Sequence, residues 1–104
     1  MQVYSEDTEA IEATPGETFV IALASNPTTG FVWEPDFDAR RLKLLSREFQ
    51  PQSARIGAGG EERFHFQALG SGETEVLFEL RRAWEPEARE RKRLQIAIRG
   101  EPQP

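Results

Sequence analysis

The groups best suited to molecular recognition lie in one short uncharged segment, residues 26–31, which reads Asn-Pro-Thr-Thr-Gly-Phe. A proline disfavours the helical region for the residue before it and sets its own φ near the value that the second position of a turn requires. Gly30 can adopt a positive φ, which a β-branched residue would resist. We therefore predict a stiff loop that presents the hydroxyl groups of Thr28 and Thr29 for hydrogen bonding.

Groups for catalysis are scarce. The sequence has one histidine, His65, no cysteine, and no pair of carboxylates within a supporting motif. A nucleophile needs a base within hydrogen-bond reach, and these residues provide neither that arrangement nor a metal site. Without cysteine there is also no disulfide framework and no zinc–cysteine site. We therefore expect a protein that is not an enzyme and that needs no cofactor and no metal ion.

Composition and charge limit the class of partner. The 104 residues are 38% hydrophobic and 30% charged, as in an ordinary globular protein, and the formal net charge is -5. An acidic chain is a poor partner for nucleic acid or for an anionic membrane. The arginines at 81–82 and within 89–93 have glutamates nearby in the sequence, which is typical of a solvated surface of mixed charge. We therefore expect no nucleic-acid partner and no membrane partner.

The sequence contains no recognisable targeting segment. No apolar run approaches the roughly 20 residues that are needed to cross a bilayer. Residues 1–7 lack the basic and apolar parts of a signal peptide. The sequence leaves two locations open: the cytoplasm if the chain is full length, and the periplasm or the exterior if a leader has been removed.

Alternation of apolar and polar residues predicts short strands that are separated by turns. Pro35 is expected to end the fourth strand, and residues 85–92 are expected to form the exposed part of a long hairpin loop. The segment 40–49 fits a strand or a helix by its apolar spacing, and the β pattern of its surroundings favours a strand. The predicted strands cover residues 2–4, 10–14, 18–24, 31–34, 40–49, 62–68, 74–82 and 93–99.

These strands predict one all-β domain over residues 1–104, an immunoglobulin-like antiparallel β-sandwich of seven or eight strands with a frayed tail at 100–104. His65 takes an outward position, where a solvated or cross-strand contact is expected. The inward positions carry large side chains, each worth about 1.5–3 kcal/mol when fully buried, so the core needs no disulfide. The predicted inward residues are Phe19, Ile21, Leu23, Trp33, Phe64, Phe66, Val76, Phe78, Leu80, Leu94, Ile96 and Ile98.

Two further loops stand out by composition. A glycine-rich run at 57–60 precedes the strand that starts at Glu62, and its glycines allow a close approach of the main chain to another surface. The sequence Arg82-Ala83-Trp84 follows a strand, and an exposed tryptophan is a residue type that often dominates binding energy.

Taken together, these three loops resemble the signature loops of the chagasin-type inhibitors of papain-family cysteine peptidases. The first motif is the most specific, because six consecutive residues match and Trp33 follows. The third motif departs from the family pattern, because Ala83 stands where the family usually has proline. The resemblance implies these peptidase-binding residues: Asn26, Pro27, Thr28, Thr29, Gly30, Phe31, Gly57, Ala58, Gly59, Gly60, Arg82, Ala83 and Trp84.

The resemblance also implies a mechanism. Three loops at one end of the sandwich form a wedge, and the first of them enters the active-site cleft and covers the catalytic cysteine. The second loop lies along one side of the cleft, and the third places its tryptophan on the other side. Small uncharged threonines also suit hydrogen bonding around the thiolate–imidazolium pair of such an enzyme. The expected protein is a reversible inhibitor of papain-like cysteine peptidases that acts as a monomer.

Each loop also has a local interpretation. Residues 26–30 fit an ordinary turn, and the glycine run fits a flexible linker. Trp84 would then be buried beneath the hairpin loop, and Arg82 would pair with a neighbouring glutamate, Glu85 or Glu87, on the surface. The alternative function is an immunoglobulin-like module that binds a protein or a glycan without inhibiting a peptidase; a structural adhesion domain is a third. These alternatives do not require the loops to converge.

Overall fold

The computed structural model describes residues 1–52 and 59–100, and these residues form eight strands and one short 3-10 helix at Pro27–Thr29. Each predicted strand is present, with small shifts at the ends. The strands are β1 (Gln2–Tyr4), β2 (Ala10–Ala13), β3 (Thr18–Ser25), β4 (Phe31–Phe37), β5 (Leu42–Pro51), β6 (Gly60–Ala68), β7 (Gly72–Arg82) and β8 (Glu90–Ile98). The tail that was predicted to fray lies beyond the described residues, apart from Gly100.

The strands form two four-stranded sheets with the orders β1-β3-β6-β5 and β2-β8-β7-β4. The predicted β-sandwich is therefore confirmed. The inner pairs are antiparallel, whereas the short strands β1 and β2 pair in parallel with β3 and β8. No helix in the described ranges is long and apolar enough to cross a membrane.

The core lies between the sheets and contains the residues that alternation predicted to point inward. All of them except Leu80 are at most 3% exposed, and Leu80 packs partly buried against the others. Aromatic rings fill the centre: Phe78 lies 4.9 Å from Phe64 and 6.4 Å from Trp33 between ring centroids. The expected core position of Trp33 is confirmed.

The prediction that Pro35 ends the fourth strand is wrong. Strand β4 continues to Phe37, and Pro35 lies opposite Phe78 of β7. Strand β4 is at the edge of its sheet and pairs with β7 alone, so one side of its backbone has no ladder partner. A proline is tolerated in such a strand because the missing N–H removes little pairing.

The long hairpin loop is also shorter than predicted, because β8 begins at Glu90 instead of Arg93. An ion pair across the outer face of the sheet accompanies the added strand residues, between Arg91 and Glu79 at 3.1 Å. Opposite charges on facing strands stabilise such pairing.

The ambiguous segment 40–49 forms strand β5, as favoured. Its pairing with β6 shifts between Leu44 and Ser46, so Leu45 is an extra residue in this strand and is 45% exposed. A bulge of this kind interrupts the two-residue alternation. This interruption explains why the apolar spacing also fitted a helix.

Two side chains connect the sheets near one end of the sandwich. The indole N–H of Trp33 in β4 donates to the carbonyl oxygen of Ala24 in β3 at 2.9 Å. Arg47 of β5 donates through Nη2 to the carbonyl oxygen of Trp33 at 2.8 Å and pairs with Glu62. These bonds fix the ends of β3 and β4, between which residues 26–30 lie.

Candidate functional site

The strand register brings the three predicted loops to one pole of the sandwich. Ser25 at the end of β3 pairs with Gly60 at the start of β6, and Phe31 at the start of β4 pairs with Arg82 at the end of β7. We call residues 26–30 the first loop, residues 57–60 the second loop and residues 82–84 the third loop. Gly57 and Ala58 lie outside the described residues, so the geometry of the second loop rests on Gly59 and Gly60.

The first loop has the conformation that its sequence predicts. Asn26 is extended, with φ -139° and ψ 94°, and its side chain caps the short 3-10 helix. Its Oδ1 accepts hydrogen bonds from the amide of Thr28 at 3.2 Å and from the Thr28 hydroxyl at 2.6 Å. Gly30 ends the helix with a φ of 81°. A loop held in this way loses little conformational entropy on binding.

The donors of the first loop point into the loop itself. The hydroxyl of Thr29 donates to the carbonyl oxygen of Asn26 at 2.7 Å, and the amides of Thr29 and Gly30 donate to carbonyl oxygens of the loop at 3.1 Å. The amide of Phe31 approaches the Thr29 hydroxyl at 3.4 Å. In this conformation both threonine hydroxyls donate within the loop, and their oxygens can accept hydrogen bonds from an outside group.

The third loop packs on the first. Arg82 donates through Nε to the carbonyl oxygen of Thr29 at 3.1 Å, and its guanidinium lies 4.3 Å from the centre of the Phe31 ring. The indole of Trp84 lies so close to Gly30 that a Cβ at Gly30 would be 3.0 Å from it. Trp84 is nevertheless 70% exposed, so the interpretation that the hairpin loop buries it is wrong.

A turn over Ala83 and Trp84 shapes the third loop. The amide of Glu85 donates to the carbonyl oxygen of Arg82 at 3.1 Å, and the expected pair between the two side chains is present at 3.4 Å. Arg82, at the start of this turn, thus contacts Glu85 at its end and Thr29 of the first loop. These contacts hold the third loop against the first loop.

The two described glycines of the second loop are required by packing inside the protein. A Cβ at Gly60 would collide with the carbonyl oxygen of Gln50 and the ring of Phe49, and one at Gly59 would lie 3.2 Å from the carbonyl oxygen of Ser25. The sequence pattern suggested an approach to another molecule. The geometry shows that Gly60 lets the chain lie directly against β5, and that Gly59 lets it pass close to Ser25 and Asn26.

Elsewhere in the described ranges, the residues considered from the sequence do not form a second candidate site. His65 lies on β6 with Nε2 3.2 Å from Glu48 of β5, which is the expected cross-strand contact. In residues 1–52 and 59–100 there is no group of three or more side chains that could hold a metal ion.

The β-sandwich thus brings the first loop, the third loop and the pair Gly59–Gly60 to one pole, an arrangement suited to binding a partner. Residues 12–98 match the family model described as Chagasin family peptidase inhibitor I42. Chagasin from Trypanosoma cruzi is 30% identical over 91 residues, which cover 82% of this chain and 83% of that protein. The chain belongs to the chagasin family of peptidase inhibitors, and it is not an enzyme.

Solved structures agree with the fold. The cysteine protease inhibitor EhICP2 from Entamoeba histolytica has a TM-score of 0.81 at 19% identity, covering 95% of this chain and 97% of that one. Amebosin has a TM-score of 0.75 at 27% identity, with coverage of 94% and 97%. PbICP-C, solved in complex with falcipain-2, has a TM-score of 0.59 at 16% identity, with coverage of 93% and 89%.

Proposed function

We propose that this protein is a reversible inhibitor of papain-family cysteine peptidases and that it docks with the pole formed by its three loops. The observation that carries this proposal is the interlocking of the loops, in which Arg82 bonds to Thr29 and Trp84 packs on Gly30. Such contacts make one continuous surface before any partner binds. Family membership supports the class of partner, since the family is one of peptidase inhibitors.

The first loop is the part that enters the active-site cleft. The active form of a Cys–His peptidase is a thiolate beside an imidazolium, and the imidazolium is the hydrogen-bond donor of the pair. Because the Thr28 and Thr29 hydroxyls donate within the loop, their oxygens are placed to accept hydrogen bonds from the imidazolium or from other donors of the cleft. The helical turn at Pro27–Thr29 also lacks the extended backbone that cleavage requires.

Titration of papain and cathepsin L with the purified protein tests this proposal. We expect stoichiometric loss of activity in a one-to-one complex, recovery of activity on dilution, and no cleavage of the first loop on prolonged incubation. If neither enzyme nor a wider panel of papain-family peptidases loses activity, the protein is a binding module of another kind.

Replacing Arg82 with methionine is expected to weaken inhibition by about fivefold. The substitution keeps the apolar stem against Phe31 but removes the bonds to Thr29 and Glu85, which together are worth about 1 kcal/mol because both are partly exposed to solvent. Because Arg82 is only half-buried, the melting temperature should change little. The inhibition constant against papain is the measurement, with Arg81→Met on the other face of β7 as the matched control. An unchanged constant for Arg82→Met would show that the third loop keeps its position without these bonds.

A further inference from the structure

A cavity of about 400 Å³ opens between the first loop and residues Gln52, Gly59 and Gly60. Its floor includes Phe31 and Leu80, and its polar lining includes Ser25 and Gln52. Among the described residues that line it, Arg89 is the only one that carries a charge. The cavity therefore combines a cation with uncharged polar groups at the pole that is proposed to face the peptidase.

Arg89 has no carboxylate partner in the described part of the chain. Its exposed guanidinium lies 5.0 Å from the centre of the Phe31 ring, against which Arg82 also lies. The next arginines along β8 differ, because Arg91 pairs with Glu79 at 3.1 Å and Arg93 with Glu75 at 3.5 Å. The unpaired arginine of this series is thus the one beside the loops.

Docking of this pole would cover the guanidinium of Arg89. A charge that loses water without gaining a partner is costly, whereas a carboxylate that meets an arginine gains strong charge-assisted hydrogen bonds. Arg82, against the same ring, adds to the local positive potential in a protein whose net charge is -5. The cavity has room for a side chain beside Arg89.

We infer that Arg89 is a further contact residue, and that its cavity receives an aspartate or glutamate side chain from the rim of the peptidase cleft. This inference rests on the proposed function, since it requires the loop pole to face the enzyme. It makes Arg89 a determinant of specificity, because peptidases with an acidic group at this place on the rim are bound more tightly than those with a neutral or basic one.

Substitutions at Arg89 leave the fold intact, because its structural hydrogen bond is from the backbone amide to the carbonyl oxygen of Leu80 at 2.7 Å. Arg89→Gln removes the charge and Arg89→Glu reverses it. Lys43→Glu is the matched control, since Lys43 is exposed at the start of β5, near the opposite pole, and the charge change is the same as in Arg89→Glu.

The experiment measures inhibition constants and association rates against papain, cathepsin L and cathepsin B at low and at physiological salt. We expect Arg89→Glu to lose about tenfold in affinity against at least one of them, with a slower association at low salt, as for other charge pairs across interfaces. Arg89→Gln should lose less affinity, and Lys43→Glu should have the same inhibition constants and association rates as the unmodified protein. Replacing the responsible acidic rim residue of that peptidase with lysine should restore binding to Arg89→Glu.

Two results would overturn the inference while the proposed function stands. In one, both Arg89 variants have the same inhibition constants as the unmodified protein against every peptidase that it inhibits. In the other, the variants lose affinity but no charge reversal on the enzyme rim restores it, so that Arg89 acts only by supporting Phe31. If the unmodified protein inhibits none of the enzymes, the proposed function fails and this inference fails with it.

Discussion

Adding one methyl group at Gly30 is expected to weaken the inhibition of a papain-family peptidase by between one and two orders of magnitude. Gly30 has a φ of 81°, and a left-handed conformation costs an ordinary residue about 1–2 kcal/mol. The new Cβ would also lie 3.0 Å from the indole of Trp84, so the ring must move. Gly30→Ala therefore disturbs the first loop and the third loop together, and each factor of ten in affinity needs only about 1.4 kcal/mol.

The matched control is Gly70→Ala at the opposite pole. A Cβ at Gly70 would meet its nearest neighbour, Arg41, at an ordinary contact distance of 3.6 Å. Inhibition constants and melting temperatures of both variants should be measured together. We expect Gly70→Ala to inhibit as the unmodified protein does. Equal inhibition by Gly30→Ala would mean that the contact between the first and third loops does not contribute to binding.

The sequence was sufficient to predict which residues form the core, but it was insufficient to predict the strand ends at the sheet edges. Alternation identified the inward faces of the strands because a buried face imposes a two-residue period on any strand. It failed at Pro35, where the cost of a proline depends on whether the strand is at an edge, and this depends on the strand order of the sheet. It was ambiguous around Leu45, because a bulge is a property of the pairing between two strands.

The residues alone predicted the candidate site as three separate loops, and only the family resemblance predicted that the loops meet at one end of the sandwich. The sequence predicted the local shape of the first loop, since Asn26, Pro27 and Gly30 act through their own backbone preferences. The bond from Arg82 to Thr29 depends on a register that places β4 beside β7, and no local pattern encodes it. The cavity beside Arg89 also depends on how the strands are arranged. In the sequence, Arg89 is only one member of a run of mixed charge.

The order of contacts suggests how the loops depend on one another. The first loop is held by bonds within itself, so its shape needs little help from its neighbours. The third loop is held mainly by the contacts of Arg82 with Thr29 and of Trp84 with Gly30 in the first loop. A change in the first loop therefore alters the third, whereas a change confined to the third should leave the first in place.

Replacing Trp84 with alanine is expected to weaken inhibition by about thirtyfold, since truncation of a tryptophan at the centre of an interface costs at least about 2 kcal/mol. Trp84 is 70% exposed, which leaves most of its surface for a partner to bury. One side rests on Gly30, and its ring lies 5.7 Å from the guanidinium of Arg82, so the exposed part is held in a fixed orientation.

Trp84→Ala should keep the melting temperature of the unmodified protein, because the indole contributes little to the core. Trp84→Phe should retain part of the affinity, since an aromatic ring can still rest on Gly30. Leu69→Ala is a suitable control, because Leu69 is a partly exposed apolar residue, 39% exposed, at the opposite pole. Inhibition constants against papain and cathepsin L decide the outcome. If Trp84→Ala and Leu69→Ala inhibit equally well, the third loop lies outside the interface, and the first loop must supply the affinity without it.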